Sequence, residues 1–374
     1  MSLLRNALIR LSLILVATIS FAQTLLTTVP VADYPQAMAI NTFTDRVYVM
    51  EESVNQVTEI DGSTHSATAI PLGTNAISSL NGALAVNPYT NKIYAVDGVN
   101  NHLSIIDGPT RAVMQIPVGN APVALAVNPI TNTVYVVNYT DNTVSVVNGA
   151  TLATTTIPVG AGPTSLAVDW VQNTVYVTNF SSSSLTIISA KSTSTIPVGL
   201  DPTRVAVDIT THTAYVVNRD GGTVSVVKGG AVTATIASGK VPVAIAINRG
   251  TNKIYVSNDD DNVVVIDGKT NTTTMVTAGT APNAIAIDEL RDKIYVSNLD
   301  YGCLTIIDGK TNTAITTGNI GNGAMAVNVN VLTNQVYVAI AYPNASEVGI
   351  FSGANGTFPQ NIYDALMGPV SSTH

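Results

Sequence analysis

The chain has 374 residues, 46% hydrophobic and 11% charged, with a net charge of −8. Apolar surface is therefore ample for a core, and the acidic balance argues against nucleic acid, whose phosphate backbone calls for a basic partner. The single cysteine, Cys303, excludes an intrachain disulfide, a CxxCH haem attachment and any multi-cysteine zinc site.

The first 22 residues carry Arg5 and Arg10, then the apolar run "LSLILVATISF", then small residues at Ser20 and Ala22. That order predicts a secretory signal peptide cleaved before Gln23. The apolar run is about half of the roughly 20 residues that a membrane-spanning helix needs. No later run is long enough to span, so a secreted, periplasmic or cell-surface protein with no membrane span after cleavage is expected. The division predicted is 1–22 leader, 23–356 folded domain and 357–374 C-terminal tail.

Past the leader, residues 27–32 read "TTVPVA", and the chain then repeats itself. A tyrosine in a short β-branched run recurs at Tyr48, Tyr94, Tyr135, Tyr176, Tyr215, Tyr255, Tyr295 and Tyr337, with spacings of 46, 41, 41, 39, 40, 40 and 42 residues. A period near 40 without helical spacing or helix formers is that of a four-stranded propeller blade. Residues 122–160 show one unit in full. "PVALAVN" is the first strand, "TVYVVN" the second, "TVSVVNG" the third and "TTTIPVG" the fourth, each bounded by Asn, Asp, Gly or Pro.

Proline cannot donate to a ladder, so Pro71, Pro117, Pro158 and Pro197 make the fourth strand the outer edge. Alanines such as Ala83, Ala85, Ala124 and Ala126 suit the crowded taper beside a propeller axis and make the first strand innermost. The last unit, around "QVYVAIAY" and "SEVGIFSG", has no good fourth strand. "TTVPVA" near the N-terminus copies "TTIPVG" and can supply it, closing the ring without an open sheet edge. The expected fold is all-β, an eight-bladed β-propeller of four-stranded antiparallel blades; seven blades plus a stray unit is the alternative.

The phrases "TNTVYVVN", "QNTVYVTN", "TNKIYVSN" and "RDKIYVSN", followed by "NTVSVVNG" or "LTIIDG" and then "IPVG", resemble the YVTN family of β-propeller repeats, which includes YncE-like proteins. The resemblance covers roughly residues 24–352. It implies a secreted, periplasmic or surface protein, and because the motif is structural it transfers no catalytic residue. DNA binding, which YncE-like relatives suggest, is opposed by the charge.

Alternating strand direction sorts the loops onto two faces. The first-to-second and third-to-fourth turns share one face and hardly vary, as structural Asn and Gly turns do. The second-to-third loops and the connections between blades share the other face and vary strongly, which is where binding residues sit on a repeated frame. Candidate ligand residues there are Asp97, Tyr139, Phe180, Arg219, Asp220, Asp259, Asp260, Asp261 and Tyr301. The three successive aspartates lack the spacing of a calcium loop and read as solvated turn charge. Arg219 and Asp220 read as a surface pair.

Arg204, in "DPTRVAVD", stands where other blades carry Ala37, Ala124, Ser165, Ala244 and Ala284. A guanidinium there either holds an anionic ligand at the channel mouth or pairs with Asp201 or Asp169 and fastens two blades. The eight tyrosines are expected to fill space between blades, each hydroxyl finding a polar partner. His65, His102, His212 and His374 show no metal-ligand spacing or nucleophile partner, and Cys303 reads as a small core residue.

No catalytic residue, metal or cofactor is assigned. The function expected is a non-enzymatic binding or scaffold module, monomeric, presenting its variable face to a protein, a glycan or a small-molecule ligand. The alternative is a propeller enzyme of lactonase, lyase or quinone-linked type with its site at the channel mouth.

Overall fold

The computed structural model describes residues 24–51, 54–73, 83–321, 323–341 and 346–354. The expected leader and the C-terminal tail lie outside them. The described residues form eight four-stranded antiparallel sheets, numbered here as blades 1 to 8 in chain order. In blade 3 the strands are Pro122–Asn128, Thr133–Asn138, Thr143–Asn148 and Thr154–Pro158, hydrogen-bonded in that order. First strands of successive blades touch one another all the way round, and Ala324–Asn330 of blade 8 returns to Pro35–Asn41 of blade 1. The molecule is an eight-bladed propeller, and the seven-blade alternative is discarded.

Closure uses the two ends of the repeat array. Leu25–Pro30 pairs antiparallel with Glu347–Ser352 and completes blade 8 as its outer strand. Val29, 3% exposed, packs with Tyr337, Val348 and Ile350 of blade 8 and with Val47, Val49 and Ile60 of blade 1. All eight repeat tyrosines are buried on second strands, in the apolar layers between sheets. The Tyr337 hydroxyl donates to Gln335 Oε1 at 2.6 Å, and Tyr135 donates to Asn173 Oδ1 at 3.3 Å. The Tyr255 hydroxyl has no partner among the described residues, so the expectation that every ring finds one is corrected.

The repeated Asn and Gly positions form interlocks that the spacing alone does not reveal. The residue ending each first strand caps its own turn: Asn87 Oδ1 accepts the Tyr89 N–H at 3.1 Å, and Asn128 Oδ1 accepts that of Ile130 at 3.0 Å. Its amide then reaches the next blade, Asn87 Nδ2 donating to Asn132 at 2.9 Å and Asn128 Nδ2 to Asn173 at 2.7 Å. Between blades 4 and 5 the same link is made by fully buried Asp169 and His212 Nδ1, 2.7 Å apart. His212 is thus a structural substitute for the turn asparagine, and Asp169 is not available to Arg204.

On the opposite face, the asparagine ending each of five second strands packs against the glycine that follows the preceding blade's fourth strand. A Cβ on Gly119, Gly160, Gly199, Gly239 or Gly279 would lie within 2.8 Å of that side chain. The "YVVN" and "IPVG" phrases are two halves of one contact between blades.

Candidate functional site

A backbone irregularity common to the blades shapes the mouth of the central channel. In the first strand of blade 5, Pro202 pairs with Asn218 and Arg204 with Val217, leaving Thr203 as a bulged residue outside the ladder. Blades 1, 3 and 4 carry the same bulge at Gln36, Val123 and Thr164. A bulge turns its residue away from the sheet face, and these four all reach the mouth.

There they line a cavity of about 790 Å³ with Ala37, Ala83, Leu84, Ala124, Leu125, Ser165, Leu166 and Arg204. Tyr139 and Phe180 rise from the second-to-third loops to form part of its rim. The wall is apolar at the strands and aromatic at the rim, with a few hydroxyls and one cation. Among the described lining residues none is Asp, Glu, His or Cys.

Arg204 is set apart by its register. The equivalent positions around the ring are Ala37, Ala83, Ala124, Ser165, Ala244, Ala284 and Ala326, each opposite the second strand of its own blade. One guanidinium therefore stands in a circle of methyl and hydroxymethyl groups. Nη1 donates to the Thr203 carbonyl at 3.1 Å, a contact within its own strand. Its pKa is held below the usual arginine value by desolvation alone, with no carboxylate acting on it. The side chain is solvent-exposed, but it stands inside the concavity rather than on the open surface. The Thr203 hydroxyl beside it is buried and without a hydrogen-bond partner among the described residues.

The expectation that Arg204 pairs with Asp201 or Asp169 is overturned. Asp169 belongs to the link with His212 at the far end of the strand. Desolvation, and after it the neighbouring Asp220 carboxyl, push the Asp201 pKa up, while Arg219 pulls it down. Asp220 therefore faces another carboxyl, and the pair read for Arg219 and Asp220 is corrected.

The remaining candidates do not converge on the cavity. Asp261 accepts the Ala281 N–H at 3.0 Å, the job that Asn101 and Asn142 do in their blades. Asp260 accepts from Asn262 at 2.6 Å, and Asp259 is exposed. The described residues contain no group of three His, Cys, Asp or Glu side chains able to hold a metal ion. Tyr301, 73% exposed, sits at the same loop position as Asp261 and outside the cavity lining. Asp97 ends the second strand of blade 2 opposite His102, and its side chain lies outside the described residues. Cys303 is buried opposite Asn298, as Thr143 is opposite Asn138.

Sequence reasoning found Arg204, Tyr139 and Phe180 but missed Gln36, Thr164 and Thr203. The signal was present in the residue after each first-strand proline, which changes from blade to blade while its neighbours stay alike.

No known family profile and no curated protein matches the chain. Among solved structures it is similar to a chain of Kuenenia stuttgartiensis hydrazine synthase, at 17% identity and a TM-score of 0.60 over 75% of this chain and 98% of that one. It is also similar to the C-terminal WD40 domain of Sif2, at 13% identity and a TM-score of 0.70 over 88% of this chain and 98% of that one. Likeness at these identities establishes the fold and carries no activity across.

Proposed function

We propose that this protein is an exported, non-enzymatic propeller of the YVTN repeat type that binds a small anionic molecule in the central cavity on its variable face. The observation that carries the reading is Arg204: a guanidinium with no acidic partner among the described residues, in a cavity lined mostly by alanine, leucine, hydroxyls and two aromatic rings. A guanidinium standing free in a concavity can hold a carboxylate or phosphate through paired charge-assisted hydrogen bonds. The volume falls within the roughly 300–1,000 Å³ typical of small-ligand pockets. The lining favours binding over turnover, because catalysis needs acids, bases or a metal converging on the reacting atoms. The pattern of residues 1–22 supports export, and the interlocked "YVVN" and "IPVG" phrases support the repeat type.

The test is calorimetric titration of the full chain with acetate, benzoate, citrate and inorganic phosphate, repeated on Arg204→Ala and Arg204→Lys. Alanine already occupies this register in six other blades, so Arg204→Ala is expected to fold unchanged. Hydrogen bonds to a charged group contribute about 1.5–3 kcal/mol, so the anion that binds is expected to lose about 10- to 150-fold in affinity. Lysine restores the charge but not the two-pronged geometry and is expected to recover only part. Affinity unchanged in Arg204→Ala, or no binding by any of the anions, overturns the reading.

A further inference from the structure

The side chains that break the repeat around the cavity belong to three successive blades. At the register of Arg204 the first strands carry alanine everywhere except Ser165 of blade 4 and Arg204 itself in blade 5. The rim departs from the repeat in blades 3 and 4. There the residue after the second strand is held by a backbone hydrogen bond to the connection entering its own blade: the Tyr139 N–H donates to the Ala121 carbonyl at 2.9 Å, and the Phe180 N–H to that of Gly162 at 2.8 Å. Arg219, Leu299 and Ala341 make the same contact in blades 5, 7 and 8, so the turn does not demand an aromatic group. Blades 3 to 5 thus bring two aromatic rings, a hydroxymethyl group and a guanidinium to a cavity whose remaining described wall is mostly alanine and leucine.

That inventory limits both the charge and the body of a ligand. Arg204 is the one cation among the described lining residues, so it matches one carboxylate and leaves a second negative group without a partner. Asp201, Asp220 and Asp259 lie in the loops of the same face and the chain carries −8 overall, so a polyanion meets repulsion on approach. Aromatic rings attract one another edge to face or offset, through a quadrupole that a saturated ring lacks. Two rings on adjacent blades therefore favour a flat π system over an aliphatic body of similar size. A volume of about 790 Å³ accommodates one ring or two fused rings.

We infer that the ligand is an aromatic monocarboxylate, its ring against Tyr139 and Phe180 and its carboxylate on Arg204. This rests on the anion-binding reading above and adds to it the chemistry of the ligand's body. The test is calorimetric titration at neutral pH with benzoate, 2-naphthoate and cyclohexanecarboxylate, on the parent and on a chain carrying both Tyr139→Leu and Phe180→Leu. Cyclohexanecarboxylate has the charge and nearly the size of benzoate but no π face. Blade 7 already carries leucine at this position, as Leu299, so the double variant is expected to keep the parent's urea midpoint. An aromatic pair contributes about 2- to 10-fold in affinity, so the parent is expected to prefer benzoate to cyclohexanecarboxylate by about tenfold or more and to bind 2-naphthoate tighter still. In the double variant the preference for benzoate is expected to fall below about threefold. Equal affinity for benzoate and cyclohexanecarboxylate in the parent, or a preference that survives in the double variant, overturns this inference and leaves the anion reading standing. No binding of any of the three also overturns it, and the anion reading falls with it only if acetate, citrate and phosphate fail too. Benzoate affinity unchanged in Arg204→Ala overturns both.

Discussion

Glu51 makes the sharpest thermodynamic prediction. It ends the second strand of blade 1 opposite Gln56, the position that Asn138, Asn179, Asn218, Asn258 and Asn298 occupy in later blades. Asn138 Nδ2 donates to Thr143 Oγ1 at 3.0 Å and Ser145 Oγ at 2.9 Å. Glu51 has no amide to donate. It is fully buried, and among the described residues neither carboxylate oxygen has a partner in good hydrogen-bond geometry. Desolvation raises its pKa, and the nearby Thr58, Gln56 and Ala32 groups, which approach without meeting that geometry, offset this only in part.

Because the folded-state pKa lies above the unfolded one, the folded protein binds more protons in between. Its stability therefore falls as pH rises from about 4.5 through the raised value. Glu51→Gln keeps the size and removes the charge. A buried polar group left unsatisfied costs about 1–3 kcal/mol, and more when charged, so the variant is expected to be more stable by at least about 1 kcal/mol at pH 8 and equal to the parent at pH 4. Urea unfolding of both proteins across pH 4 to 8 measures this directly. Parallel stability curves over that range would show that the carboxylate is solvated or paired in the folded state and would refute the reasoning.

Gly160→Ala is expected to destabilise by about 1–3 kcal/mol, because its Cβ would sit 2.6 Å from Asn179 Nδ2 between two sheets; an unchanged urea midpoint would remove the interlock from the account. Buried Glu59 bridges Arg111 of blade 2 at 2.8 Å and Arg46 of its own blade at 3.4 Å. Glu59→Gln, which leaves two arginines without their shared partner, is expected to cost more in thermal unfolding than Arg111→Ala, which leaves Arg46 in place. The opposite ranking contradicts it.

The site was legible in the sequence to a limited depth. Arg204 stood out because one residue broke a row of alanines, and Tyr139 and Phe180 because they fell in variable loops. Which neighbours surround a side chain depends on strand register and on the next blade. The bulge that brings Thr203 and Thr164 to the mouth, the diversion of Asp169 to His212 and the facing carboxyls of Asp201 and Asp220 therefore left no mark in spacing.

Local chemistry, repeated eight times, was enough to determine strands, turns, blade count and the closing role of residues 25–30, because each unit carries its own periodicity and punctuation and the missing strand had one possible source. Only the closed ring decided the rest. Residues about 40 positions apart meet around one axis, so a single guanidinium gained a cavity and lost its expected acid. The Phe43 and Tyr89 rings, in the turns of two successive blades, came together 5.7 Å apart.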